Sequence, residues 1–120
     1  MPIIIVYGIP SNTTGNRIER FSDSLIKLTC RIPELNLTED QVSYLFPRDM
    51  MDWVESPDEI FIFVEGLFDK PERTEDVRKK LAQTLVDCAI GHFRQAKLVE
   101  CFIKPFDPRL GFACSTKTKK

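Results

Sequence analysis

The chain has 120 residues, the size of one ordinary domain with a buried hydrophobic core. Its 17 basic and 18 acidic side chains leave a net charge of −1, which removes the global electrostatic case for binding nucleic acid or an anionic membrane. No positively charged segment followed by an apolar stretch appears at the start, and no apolar run approaches the length of a membrane span. We therefore expect a single cytoplasmic domain at residues 1–114 and a disordered tail at 115–120.

The first predicted element is an apolar strand at residues 3–8, which begins directly after Met1 and Pro2. Removal of Met1, expected before a small second residue, would leave Pro2 as a secondary amine at the end of a sheet. Burial and nearby cations both lower the pKa of an amine, so this amine could be neutral near pH 7 and act as a base. The alternative interpretation is that Pro2 only starts a strand, where a missing N–H costs little.

A helix is predicted next, because apolar residues recur three or four positions apart along one stripe. These residues are Ile18, Phe21, Leu25, Leu28 and Ile32. A second strand is predicted to end at residues 45–49. The stretch 50–58, which contains Trp53 and Pro57, is predicted to connect two halves of the chain.

The second half repeats the order of elements in the first. An apolar strand at 60–66 is followed by a helix and by a strand that ends at 103–107. Thr74 is the predicted N-cap of this helix and Gly91 its predicted end. The apolar stripe of the helix is formed by Val77, Leu81, Leu85, Cys88 and Ala89.

Three marker residues of the first half recur at one constant offset in the second, so we divide the chain into pseudo-repeats at 1–49 and 59–107. The marker pairs are Gly8 with Gly66, Pro47 with Pro105, and Asp49 with Asp107. Right-handed crossovers then predict an α+β fold, in which two β-α-β repeats form a four-stranded mixed sheet with two helices on one face. The first strand of each half is apolar at every position. The second face of the sheet therefore needs cover from another subunit, and we expect a homo-oligomer.

Cysteine and histidine positions indicate neither a metal site nor a redox pair. Cys30, Cys88, Cys101 and Cys114 lie far apart and form no CxxC pair, which favours reduced thiols. His92 is the only histidine, so histidine triads and multi-histidine metal sites are poorly supported. With no glycine-rich phosphate loop either, we expect no metal and no cofactor.

The chain resembles the tautomerase superfamily over nearly its whole length. The resemblance rests on residues 1–4, the doubled strand-helix-strand layout and residues 64–66, and it is closest to a branch marked by 63–68 and 106–112. It implies a fold like that of macrophage migration inhibitory factor and 4-oxalocrotonate tautomerase, assembled as a homotrimer. It also implies that Pro2 acts as base or acid in keto–enol tautomerisation.

Four cations are candidates for binding a substrate carboxylate. In small superfamily members an arginine shortly after a Glu-Gly turn has this role, and here Lys70 and Arg73 are its approximate matches, whereas no cation follows Gly8. Arg48 and Lys104 are predicted near strand ends, where either could bind a carboxylate or lower the pKa of the proline amine. The alternative for all four is a solvated position at a strand end or in a loop.

Phe106 and Phe112 are predicted to form an apolar wall that excludes water from the site. Their alternative interpretation is packing at a subunit contact.

Three hypotheses of function remain open. The first is a tautomerase-like enzyme in which Pro2 is the general acid and base for an enolisable small carboxylated substrate. The second is a non-catalytic oligomeric binding module of the same fold, which the missing cation after Gly8 favours. The third is RNA binding through Phe61 and Phe63 on the open sheet face. The neutral net charge argues against the third, so we expect no nucleic-acid partner and no membrane partner.

Overall fold

The computed structural model describes residues 2–48 and 59–116. The predicted connector at 50–58 lies outside the described residues, as do Met1, Asp49 and residues 117–120 of the predicted tail.

Within the described residues the chain forms two α-helices and four strands, and the strands make up a single mixed sheet. In chain order the elements are β1 (Ile3–Tyr7), α1 (Gly15–Cys30), β2 (Ser43–Leu45), β3 (Glu59–Phe68), α2 (Glu75–His92) and β4 (Leu98–Phe106). The sheet order is β2-β1-β3-β4; the central pair is antiparallel and both outer pairs are parallel. The predicted α+β fold with a four-stranded mixed sheet is confirmed.

Both helices begin at a threonine cap of the same kind. The hydroxyl oxygens of Thr14 and Thr74 each accept a hydrogen bond from the backbone N–H three residues later, at 3.3 Å. The predicted cap at Thr74 is therefore confirmed. The predicted end of α2 at Gly91 is wrong, because Gly91 keeps a negative φ and the helix continues to His92. Phe93 then ends the helix, and its N–H donates to the carbonyl of Ala89 at 2.8 Å.

The hydrophobic core lies between one face of the sheet and the two helices. Alternate strand residues point to this face, as the pleat requires. The sheet contributes Ile4, Val6, Ile60, Ile62 and Val64, and the helices contribute Phe21, Leu25, Leu81 and Leu85. All nine side chains are essentially inaccessible to solvent. Both helices therefore pack on the same face, as predicted.

The opposite face of the sheet carries three aromatic side chains, the exposed Tyr7 and Phe102 and the half-buried Phe63, and we call it the aromatic face. Phe63 and Phe102 stack with ring centroids 5.2 Å apart, and Tyr7 meets Phe63 edge-on at 5.8 Å. Tyr7 is 43% exposed and Phe102 is 47% exposed. An apolar patch of this kind on a protein surface is typical of an interaction site.

Two predicted strand ends differ from the structure. We expected β3 to end at Gly66, but the strand passes through a bulge there and runs on to Phe68. The bulge depends on Gly66, whose φ of +70° lies in the left-handed region that glycine tolerates. The second strand, predicted to end at 45–49, ends at Leu45 after three residues. The longer β3 matters for the site, because it carries Phe68 towards Pro2.

Candidate active site

Pro2 lies buried at one end of the sheet. Its carbonyl accepts a hydrogen bond from the N–H of Ser43 at 3.1 Å, which joins the start of β1 to the start of β2. Because β1 and β3 are antiparallel, with Ile3 opposite Glu65, Pro2 lies beside the final residues of β3. The loop that leads from β3 to α2 begins at the same end of the sheet.

A cavity of about 180 Å³ opens at this end of the molecule. Three predicted site residues, Pro2, Lys70 and Arg73, line it together. The remaining lining residues are Asn36, Leu37, Gln41 and Phe68. The cavity therefore joins the one candidate base with two of the four candidate cations.

Arg73 is the most deeply buried charged side chain at this cavity, with only 4% of its surface exposed. One terminal nitrogen donates to the carbonyl of Phe68 at 2.8 Å and the other donates to the carbonyl of Leu35 at 2.7 Å. Its Nε has no hydrogen-bond partner in the described residues. Burial lowers the pKa of Arg73 from its ordinary value, with a smaller opposing effect of Glu72. The solvated-loop interpretation of Arg73 is therefore wrong.

Lys70 lies in one tight turn with Arg73 and also lines the cavity. The N–H of Arg73 donates to the carbonyl of Lys70 at 2.9 Å, which brings the two side chains to one wall. Lys70 is exposed, whereas Arg73 is buried. Within the part of the chain that the structure describes, no carboxylate lies in salt-bridge contact with either cation. No carboxylate of the described residues therefore neutralises either cation by direct contact.

The two predicted wall residues, Phe106 and Phe112, contact Phe68, which lines the cavity. The ring of Phe112 meets that of Phe68 edge-on, with centroids 4.9 Å apart, and Phe106 lies 6.2 Å from it. Neither Phe106 nor Phe112 lines the cavity itself. They form a second layer behind the aromatic ring that does.

The chain between Phe106 and Phe112 forms a hydrogen-bonded turn. It is a short 3-10 turn at Pro108–Leu110, and the side chain of Asp107 accepts from the backbone N–H of Arg109 at 3.0 Å. The guanidinium of Arg109 also pairs with the Asp107 carboxylate at 2.8 Å. These hydrogen bonds hold the pKa of Asp107 below its ordinary value.

The other two candidate cations lie away from the cavity. Since β2 runs parallel to β1, the residues that follow β2 lie at the opposite end of the sheet from Pro2. Arg48 is there, in a second hollow shared with Ile9 and Pro10. Lys104 lies on the exposed face of the sheet, with its Nζ 3.8 Å from a carboxylate oxygen of Glu65. Within one subunit, neither cation faces Pro2.

Four lining residues were not predicted from the sequence. Asn36 adopts a left-handed backbone, with φ of 51°, directly after the 3-10 turn Pro33–Leu35. The side-chain oxygen of Gln41 accepts from the N–H of Thr38 at 2.9 Å, so its amide nitrogen remains as a donor. Asparagine tolerates left-handed turns, which is a signal for a turn at Asn36 but not for a site.

Residues 2–48 and 59–116 contain neither a candidate metal site nor a candidate membrane span. No group of three His, Cys, Asp or Glu side chains is placed to hold a metal ion. None of the helices there has the length and apolarity to cross a membrane.

Solved structures share the layered α+β arrangement with its doubled strand-helix-strand unit, and the predicted resemblance in fold is confirmed. Among solved structures, the asymmetric trimer of fused 4-OT superposes with a TM-score of 0.71 at 14% identity, over 97% of this chain and 94% of that one. Macrophage migration inhibitory factor from Toxoplasma gondii gives a TM-score of 0.63 at 13% identity, over 98% and 99% of the two chains. A 5-carboxymethyl-2-hydroxymuconate isomerase from Deinococcus radiodurans R1 gives 0.64 at 18% identity, over 97% and 90%. The sequence itself matches no family model and no curated protein.

Proposed function

We propose that the chain is a tautomerase-like enzyme that moves a proton within a small, enolisable, carboxylated substrate. The observation that carries this proposal is the cavity shared by Pro2, Lys70 and Arg73, whose cations have no carboxylate partner among the described residues. A buried amine beside two cations favours its neutral form, which is the form that accepts a proton. Removal of Met1 is part of the proposal, because an amide nitrogen at Pro2 would not be basic.

The reaction assigned to this site has two proton transfers. The nitrogen of Pro2 takes a proton from the acidic carbon of the substrate, and the electron pair of that C–H bond moves to the carbonyl oxygen to give an enolate. The protonated Pro2 then returns the proton to another atom of the same molecule. Positioned acid–base catalysis of this kind contributes roughly 10²–10⁴ in rate.

Lys70 and Arg73 are assigned to the substrate carboxylate. Arg73 supplies a buried positive charge, and Lys70 supplies an exposed one. We assign the amide nitrogen of Gln41, which lines the cavity, as a donor to the enolate oxygen. Phe68 forms the apolar wall that limits the access of water, and Phe106 and Phe112 support it from behind.

We also propose that the protein acts as a homotrimer in the cytoplasm. The exposed aromatic face needs cover, and the fused 4-OT structures of the same fold are trimers. All four cysteines are free thiols, which suits a reducing compartment. Lys104, near the edge of that face, and Arg48 stay candidate contacts to a site of another subunit.

The test is turnover of phenylenolpyruvate and of 2-hydroxymuconate by the protein with Met1 removed, compared with Pro2→Ala. We expect the variant to lose about 10²–10⁴ of the rate with its oligomeric state unchanged. Arg94→Met serves as the control, because Arg94 is exposed beyond the far end of α2. Equal turnover by the parent protein and Pro2→Ala would contradict the proposal.

The alternative is a non-catalytic oligomeric binding module, and one observation favours it. Both terminal nitrogens of Arg73 donate to main-chain carbonyls, so Arg73 also serves as a structural link between two loops. A module of this kind would bind carboxylates at Lys70 and Arg73 without any role for the Pro2 amine. Retention of Met1 in protein from its native host, together with carboxylate binding, would favour the module over the enzyme.

A further inference from the structure

We propose that Gln41 selects the ligands of the Pro2 cavity by a single oxygen atom, because it favours a ketone oxygen over a hydroxyl. The inference rests on the proposed function, since it takes this cavity to be the ligand site. It deepens that function by naming the residue that distinguishes one ligand from another. No step of it depends on the basicity of Pro2.

Gln41 lies beside Pro2 through the pairing of β1 with β2. The N–H of Ser43 donates to the carbonyl of Pro2 at 3.1 Å, and Gln41 precedes Ser43 by two residues. The half-buried side chain of Gln41 lines the same cavity of about 180 Å³ as Pro2. A ligand that fills this small volume therefore contacts Gln41.

A hydrogen bond to Thr38 decides which end of the Gln41 amide is left for a ligand. The backbone N–H of Thr38 donates to Oε1 of Gln41 at 2.9 Å, and the backbone N–H of Gln41 donates to the carbonyl of Thr38 at 3.0 Å. An N–H pairs only with the oxygen of an amide, so the nitrogen end of the side chain keeps its two donors. The two residues form a capping box around the 3-10 turn Glu39–Gln41. This donor is therefore held in place before a ligand arrives.

The other polar side chains of the cavity also supply mainly donors. Lys70 and Arg73 have donors and no acceptor. Gln41 has committed its oxygen to Thr38. Apart from the Pro2 nitrogen, the amide oxygen of the exposed Asn36 is then the remaining acceptor among the side chains that line the cavity within the described residues. The cavity is rich in donors and poor in acceptors.

A ketone oxygen and a hydroxyl differ in such a cavity. The ketone oxygen accepts from the Gln41 amide and brings no hydrogen that needs an acceptor. A hydroxyl oxygen also accepts from Gln41, but its own hydrogen loses the hydrogen bond that it made with water. One such lost hydrogen bond corresponds to about tenfold in affinity.

Three small acids of similar size test this preference without turnover. Pyruvate has a ketone oxygen beside its carboxylate, lactate has a hydroxyl there, and propionate has neither. Pyruvate is already the stable keto form, so no net reaction accompanies its binding. The dissociation constants are measured by NMR on the ¹⁵N-labelled full chain, with the side-chain amide of Gln41 as the reporter. We expect pyruvate to bind about tenfold more tightly than lactate or propionate.

Two variants separate the donor of Gln41 from its role in the turn. Gln41→Glu keeps an oxygen for the N–H of Thr38, because glutamate suits this position of a capping box as glutamine does, but it replaces the donor by an acceptor. The ratio of pyruvate to lactate affinity should then fall to about one or below. Gln41→Met has neither donor nor acceptor and should lower pyruvate to the affinity of propionate. Gln95→Glu adds the same charge at an exposed position beyond the far end of α2, so it should keep the parent ratio.

The outcomes separate this inference from the proposed function. Equal affinity of the parent protein for pyruvate and lactate would overturn the role of Gln41 while leaving Pro2 as a base. A ratio that Gln41→Glu leaves unchanged, or that Gln95→Glu lowers equally, would overturn it too. If none of the three acids showed saturable binding, the cavity would not be a carboxylate site and both proposals would fail. Turnover by Pro2→Ala is a separate measurement, so the base can fail while the selectivity holds.

Discussion

The guanidinium of Arg73 donates a hydrogen bond of 2.7 Å to the carbonyl of Leu35, 38 positions earlier in the chain. A second bond from the same group, of 2.8 Å, reaches the carbonyl of Phe68 at the end of β3. One buried cation thus joins the loop after α1 to the end of β3, and these segments form two walls of the Pro2 cavity. Both the geometry and the charge of the candidate site therefore depend on Arg73.

Substitution of Arg73 should therefore lower both stability and carboxylate binding. Arg73→Met leaves two carbonyl acceptors without their donor, at a cost of about 1–3 kcal/mol for each one that stays buried. We expect urea denaturation to show a loss of about 2–4 kcal/mol in the free energy of unfolding. The exposed Arg94→Met should change it by less than about 0.5 kcal/mol. If Arg73→Met left the free energy of unfolding unchanged, the two hydrogen bonds would contribute nothing to the stability of the fold.

The two threonine caps provide a matched pair of variants. Thr14→Ala and Thr74→Ala each remove an equivalent 3.3 Å hydrogen bond, so each should lower the free energy of unfolding by about 1 kcal/mol. Only Thr74 directly follows Arg73, so only Thr74→Ala should also raise the KM for a carboxylated substrate. Equal KM values for the two variants would show that the start of α2 does not position Arg73.

A negative charge on the aromatic face should dissociate the proposed trimer. Phe102 is 47% exposed in one subunit and stacks on Phe63, so Phe102→Glu would bury a carboxylate within the apolar contact. Ile90→Glu is the control, since Ile90 is 48% exposed and lies on a helix. Light scattering at micromolar protein should give a monomer mass for Phe102→Glu and the parent mass for Ile90→Glu. A parent protein that is itself monomeric would contradict the proposed trimer.

His92 should make the protein less stable as the pH falls. Its ring lies 5.3 Å from that of Phe21, its Nε2 contacts the hydroxyl of Ser24 at 3.2 Å, and burial and then Arg17 and Arg20 lower its pKa below the ordinary 6.5. The unfolded chain therefore binds this proton more readily than the folded chain does. Its contribution to stability is fully present above pH 6.5 and is lost as the pH falls towards the lower folded value.

The check is the free energy of unfolding of His92→Gln across this range of pH. Glutamine keeps a polar group near Ser24 without titrating, so the variant should lose less stability than the parent between pH 7.5 and pH 5.5. Parallel curves for the two proteins would show that another group causes the acid sensitivity.

The sequence predicts the elements well where one repeating pattern decides them. The apolar stripe that contains Phe21 and Leu25 marks α1, and the cap at Thr74 marks the start of α2. The path of β3 past Gly66 is not predictable in the same way. A glycine with positive φ serves a turn and a bulge equally, and pairing with β4 decides between them.

The candidate site was predictable only in part, for reasons of distance along the chain. Lys70 and Arg73 follow the Glu-Gly signal in sequence, but the burial of Arg73 depends on a carbonyl at Leu35 that no local pattern reveals. Arg48 lies far from Pro2 because β2 is parallel to β1, which places the residues after β2 at the other end of the sheet. The position of Arg48 could have been predicted, because the right-handed crossover in the predicted fold makes β2 parallel to β1.

The central claim is that the nitrogen of Pro2 is a free amine poised as a base. Its most direct test is the intact mass of natively expressed protein, followed on the same sample by labelling of the amino terminus across pH. We predict a mass lacking Met1 and an amine whose pKa lies well below that of an ordinary secondary amine. A mass that retains Met1, or an amine with an ordinary pKa, would contradict the account.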